Sequence, residues 1–174
     1  MLKEELIAAG ADRAEILPVS GIPFEPSLLS LCAENRCGNY NKCWTCPPLN
    51  GKIEELIAAA KKHKSAYVFQ KIYKIEDSFD IEGMFEANRK FQKIILALSR
   101  AFTERNEDCL LLGAGGCRIC SVCAAAEGKP CRHPELACPS LESYGIQVSE
   151  LAARCGMKYI NGASTITYFG AVLK

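Results

Sequence analysis

Four stretches of helical periodicity, each followed by a short β-branched or apolar run, predict a single α/β (or α+β) domain of about four helix-strand pairs forming a mixed sheet. Two cysteine-rich connections, residues 32–48 and 117–140, interrupt that pattern and carry most of the chemistry. At 174 residues the chain is long enough for one real core and too short for two comfortable ones, so residues 1–174 are read as one domain.

The first pair is "LKEELIAAG" before "AEILPVS". In the second, Ile53, Leu56, Ile57 and Ala60 fall at helical spacing. Asn50 is placed to cap that helix, Glu54 and Glu55 suit the positive end of its dipole, and lysines follow its last turn. The run "SAYVFQKIYKI" is β-branched and aromatic, which predicts a strand, and its length would suit an antiparallel neighbour. The third helix starts after Asp80 as cap, aligns Met84, Phe91, Ile95, Leu98 and Phe102 in one stripe, and ends near Arg105. "CLLLGAGG" then predicts a strand covered on both faces and stopped by glycines. "VSELAARCG" before "STITYFGAVL" completes the series. The hexapeptide "EELIAA" occurs at Glu4–Ala9 and again at Glu54–Ala59, a similarity that two amphipathic helices reach by chance as readily as by duplication.

Composition narrows the class of protein more than it names a partner. A hydrophobic fraction of 49% and a charged fraction of 24% belong to an ordinary globular chain. The net charge is +1, with Lys and Arg alternating with Glu along the helices, so no basic face for nucleic acid is predicted. The start "MLKEELIAAGADR" carries two acids in its first five residues and no long apolar core, so neither a signal peptide nor a membrane span is expected and the reading is cytoplasmic. In a reducing compartment, eleven cysteines crowded into short spacings point to metal thiolates rather than disulfides.

Cys117, Cys120 and Cys123 form CxxCxxC, a spacing that wraps backbone around a compact centre and directs three sulfurs to it. A fourth thiolate is needed. Cys131 is the first candidate, Cys138 before Pro139 competes, and Cys46 before Pro47 could cross over from the other group. Upstream, Cys32, Cys37, Cys43 and Cys46 offer four more thiols, of which only Cys43 and Cys46 form an isolated knuckle. The threefold spacing favours an iron-sulfur cluster over zinc downstream, while the upstream group leaves both open. Arg118 and Arg132 flank sulfur ligands, where a guanidinium would offset cluster charge or receive an anionic substrate, unless they are plain surface charges. Cys109 and Cys155 read as small buried hydrophobes, and His63 and His133 as non-ligands.

Other motifs fail on spacing. Cys37, Cys43 and Cys46 do not give the CxxxCxxC of radical enzymes that cleave adenosylmethionine. "GAGGCR" puts Arg118 where a dinucleotide fingerprint needs its third glycine. Trp44 could shield a cluster from water or simply pack on the core.

Each cysteine group follows a strand and precedes a helix, after strands one and three. If those strands run in parallel, both loops gather at one end of the sheet. The expectation is that the two groups lie close together, near enough for a ligand or an electron to cross.

The combined stretches "CGNYNKCWTCPP" and "GGCRICSVCAAAEGKPCRHPELACPSLESYGIQV" resemble an uncharacterised prokaryotic family described as predicted metal-binding proteins. The residues that carry the resemblance are Cys37, Cys43, Cys46, Cys117, Cys120, Cys123 and Cys131, together with Pro47, Pro48, Arg132, Pro134, Ser140 and Gly145. The resemblance implies metal binding and cytoplasmic residence and assigns no reaction. Two functions remain. One is a redox protein in which one or two [4Fe-4S] clusters pass electrons to a partner protein or a small anionic substrate; the other is a zinc-stabilised adaptor that catalyses nothing. No membrane or nucleic-acid partner is expected.

Overall fold

Side chains that alternate between the two faces of the sheet along two long strands set the architecture, which the computed structural model describes for residues 2–174. In strand β2 (Ser65–Lys74), Ala66 and Val68 point to one side while Phe69 points to the other. Strand β4 (Thr165–Leu173) repeats the device, with Phe169, Ala171 and Leu173 on the first side and Val172 on the second. Both faces of the sheet are therefore apolar and both must be covered. Helices α1 (Leu2–Ala8) and α4 (Ile81–Glu104) cover the side of Phe69. Helices α3 (Ile53–Ala60) and α5 (Val148–Arg154) supply residues to the core on the side of Val68.

Strands β1 (Arg13–Pro18) and β3 (Leu110–Leu112) lie at the two edges, giving the order β1-β2-β4-β3. The four helix-strand pairs of the sequence reading are present. The sheet is a four-stranded antiparallel one, antiparallel at each of its three pairings rather than mixed. The segments between strands are long enough to reverse the chain, so nothing imposes a parallel crossover. β3, expected to be covered on both faces, is a short edge strand in which only Leu112 is fully buried.

Helix α4 matches its reading closely. Asp80 Oδ1 accepts from the Gly83 amide at 2.8 Å, and Phe91, Ile95, Leu98 and Phe102 are buried along one stripe, joined by Ala87. Phe91 stacks on Tyr168 of β4 at 5.2 Å and lies 6.2 Å from the Phe69 ring. Gly170 allows that packing, because an added Cβ there would meet Phe69 Cζ at 2.4 Å and the Leu112 carbonyl oxygen at 3.0 Å. At α3 the cap differs from the expectation: Lys52 occupies the N-cap position without a side-chain bond, and Asn50 Nδ2 instead donates to the Ser143 carbonyl at 3.4 Å. Among the described residues no helix is long and apolar enough to cross a membrane.

Candidate metal centre

Two loops grow from neighbouring bases. The first begins beyond β1, where Phe24 pairs with Ile146 and the Glu25 amide donates to the Gly145 carbonyl at 2.5 Å. The second leaves β3 and returns through a bridge between Gly113 and Ser140, which closes residues 113–140 into one excursion. Gly145 sits at φ 67° with its Cα toward the Glu25 carbonyl, where a Cβ would come within 3.2 Å of that oxygen. The shared base holds the loops side by side.

That is why the two cysteine groups meet, and the reason is not the one the sequence suggested. β1 and β3 occupy opposite edges of the sheet and run in opposite directions. Proximity is imposed by the pairing of 24–25 with 145–146, not by parallel strands.

The contact centres on Cys43, which is 3% exposed. Thr45 Oγ1 lies 3.3 Å from Cys43 Sγ and accepts from the Cys117 amide at 3.2 Å. A bond from the Cys46 thiol pushes the Cys43 thiol down, and further bonds from the Thr45 hydroxyl and the Thr45 and Cys117 amides add to this against the opposing effect of burial. The same bond, with burial next, pushes the Cys46 thiol up. Burial pushes Cys117 up, and Cys43, Cys131 and Cys123 all lie within its electrostatic reach. Burial also raises Cys32, with Cys37 the next cause.

Further bonds lace the loops. Trp44 Nε1 donates to the Lys129 carbonyl at 2.9 Å, fixing the first loop to the stretch just before Cys131. Gly116 packs so close to Asn39 that a Cβ would meet its side-chain nitrogen at 2.9 Å. Arg132 Nη1 donates to the Val122 carbonyl at 3.0 Å, which ties the neighbour of Cys131 to the neighbour of Cys123. Arg118 is exposed and, among the described residues, makes no hydrogen bond or ion pair.

Of the cysteines read as ligands, Cys43 meets the Cys46 thiol and the Cys117 backbone amide. Cys123, Cys131 and Cys37 lie in the surrounding field, and Cys32 stands on a short helix α2 (Leu29–Ala33) that the loop reading did not contain. Cys120 is half-buried in its loop. Among the described residues no three Cys, His, Asp or Glu side chains converge as a finished cage. Cys138 lies within electrostatic reach of Cys117, but its thiol donates to the Leu111 carbonyl at 3.2 Å, and it packs with Cys109 against the α4 side of the core. Cys155 packs against the opposite face.

Thr45 and Asn39 were missed by a reading that followed only cysteines. The signal available for Thr45 was its place inside the knuckle "CWTC", where a hydroxyl reaches a neighbouring sulfur.

All eleven cysteines are free thiols, and the two stretches that carry nine of them are tied together over the sheet, which defines a cysteine-rich α/β domain. Residues 15–174 match the family described as Predicted metal-binding protein (DUF2284), a domain of unknown function, and the chain belongs to that family. No curated protein and no solved structure matches the chain.

Proposed function

We propose that the protein is an iron-sulfur redox protein in which Cys117, Cys120, Cys123 and Cys131 hold a [4Fe-4S] cluster, and Cys32, Cys37, Cys43 and Cys46 hold a second or lend it a ligand. The observation that carries the reading is the seam at Cys43, Thr45 and Cys117, which joins the two thiol groups through a shared hydroxyl. The donor set fits. Hydrogen bonds from Cys46, Thr45 and the Cys117 amide push the Cys43 thiol down, which favours the thiolate that metal ligation by sulfur requires. A bound cluster supplies reversible one-electron storage at a potential set by hydrogen bonds to sulfur and by burial. The chain provides both: Thr45 and the Cys117 amide act on the Cys43 sulfur, Trp44 roofs the space beside Cys131, and Arg118 offsets negative charge. The electron would leave to a redox partner protein or to a small anionic substrate in a cytoplasmic setting.

The tight turn in which the Cys46 amide donates to the Cys43 carbonyl at 3.0 Å also suits a zinc knuckle, so metal identity is the decisive measurement. Protein purified without oxygen should be brown and contain iron with acid-labile sulfide. Colourless protein holding zinc would replace the redox reading with a zinc-stabilised adaptor. Serine at Cys117, Cys120, Cys123 or Cys131 should lower metal content, whereas Cys138→Ser should retain it. Unchanged metal in three of those four variants refutes the ligand set.

A further inference from the structure

Helix α4 presents Arg89 and Lys93 one turn apart, and the second cysteine loop brings Arg118 to the same place. The three cations line a cavity of about 220 Å³ whose remaining wall is largely apolar, including Ile95, Leu96 and Ile119. Cys117 and Cys138 also border it, and no Asp or Glu does. Gln92, also on the wall, is anchored by its Nε2 donating to the Ala114 carbonyl at 2.7 Å.

Two of the cations are uncompensated: among the described residues Lys93 and Arg118 make no ion pair or hydrogen bond. Arg89 feels Glu86 only at a distance, since that carboxylate is bonded to Lys90 at 2.8 Å. Gathering like charges around one concave apolar surface is unfavourable unless an anion enters between them. Arginine supplies forked donors matched to carboxylate or phosphate, and the apolar wall rewards a hydrophobic body behind the acid. A volume below the range of drug-sized pockets limits that body to about one ring.

We infer that this pocket binds a small amphipathic anion, a single aromatic or branched aliphatic group bearing a carboxylate or phosphate, beside Cys117. The inference deepens the redox reading, since it puts a substrate next to a cluster ligand, yet binding itself needs only the pocket. Where the electron goes is left to the metal.

Equilibrium dialysis of the metal-loaded protein against phenyl phosphate tests it, with inorganic phosphate and benzylamine as competitors and metal content measured on every sample. One phenyl phosphate per chain is expected, displaced weakly by inorganic phosphate and not by benzylamine. Arg118→Gln and Arg89→Gln should each weaken binding about tenfold, the loss of one charge-assisted contact. Lys62→Gln, at the end of α3 on the other face of the sheet, should bind as the parent does. Wild-type affinity in both arginine variants overturns the site, and so does benzylamine competing as well as inorganic phosphate. A loss confined to Arg118→Gln together with lost metal also overturns it, because Arg89 lies on α4, outside the cysteine loops. Equal displacement by inorganic phosphate removes the amphipathic class. Zinc in place of iron would sink the redox reading and leave the dialysis result standing.

Discussion

Replacing Thr45 by valine removes one hydroxyl and little volume, and it should unfasten the two loops. Thr45 is 6% exposed, so no bulk water takes its place. Two interactions disappear together: the contact to Cys43 Sγ at 3.3 Å and the bond from the Cys117 amide at 3.2 Å. A partly buried amide left without its acceptor costs about 1–2 kcal/mol, and the bond to a charged sulfur adds a comparable share, so the loss should be about 2–3 kcal/mol. In a urea titration with a slope of about 2–3 kcal/mol/M, the midpoint falls by about 1 M. Metal affinity, read by competition with a chromophoric chelator, should fall by about 10- to 100-fold, as when groups that orient metal ligands are removed. Thr45→Ser keeps the hydroxyl and should recover most of both losses. A valine variant that unfolds within about 0.5 kcal/mol of the parent and keeps its metal affinity would show that the seam does not couple the loops.

Gly170→Ala should destabilise the sheet by about 2 kcal/mol or more, because its Cβ must displace a fully buried Phe69 ring or a strand carbonyl, and a thermal melt equal to the parent's would contradict that packing. The Glu107 carboxyl is held below the usual range by bonds from Lys174 and then Arg105, so its contribution is fully present above the unfolded carboxyl pKa of about 4.3 and is lost as pH falls through the lowered folded value. Glu107→Gln should therefore cost up to about 1 kcal/mol at neutral pH and flatten the decline in urea midpoint below pH ~4.5, an outcome that equal acid sensitivity in parent and variant would deny.

The helix-strand order was legible because burial writes a period into the chain, and α4 shows it: Phe91, Ile95, Leu98 and Phe102 could lie on one face only of a helix. Strand direction leaves no such trace. Nothing in "CLLLGAGG" distinguishes an interior strand from the edge strand it is, since Leu110 and Leu111 are half-buried by flanking segments rather than by the middle of a sheet. At the site, spacing revealed which sulfurs belong together but not what joins the groups. That depends on Gly145 approaching Glu25 and on Thr45 reaching Cys117, contacts between residues far apart in sequence. Cys138 shows the limit from the other side. Its position before Pro139 is that of a ligand in one familiar motif, yet a carbonyl at 3.2 Å and the side chains under α4 account for its burial.

β4 is the last strand of the chain and the third in the sheet, lying between β2 and β3. β3 has no other strand to pair with, and the loop that carries Cys117 to Cys131 is anchored through it. Until synthesis has passed Leu173, β3 and the loop base beyond it have no neighbouring strand of the sheet to pair with. The order of synthesis is therefore not the order of the sheet: the strand beside the cysteine loop is completed only when β4, the last made, inserts between β2 and β3.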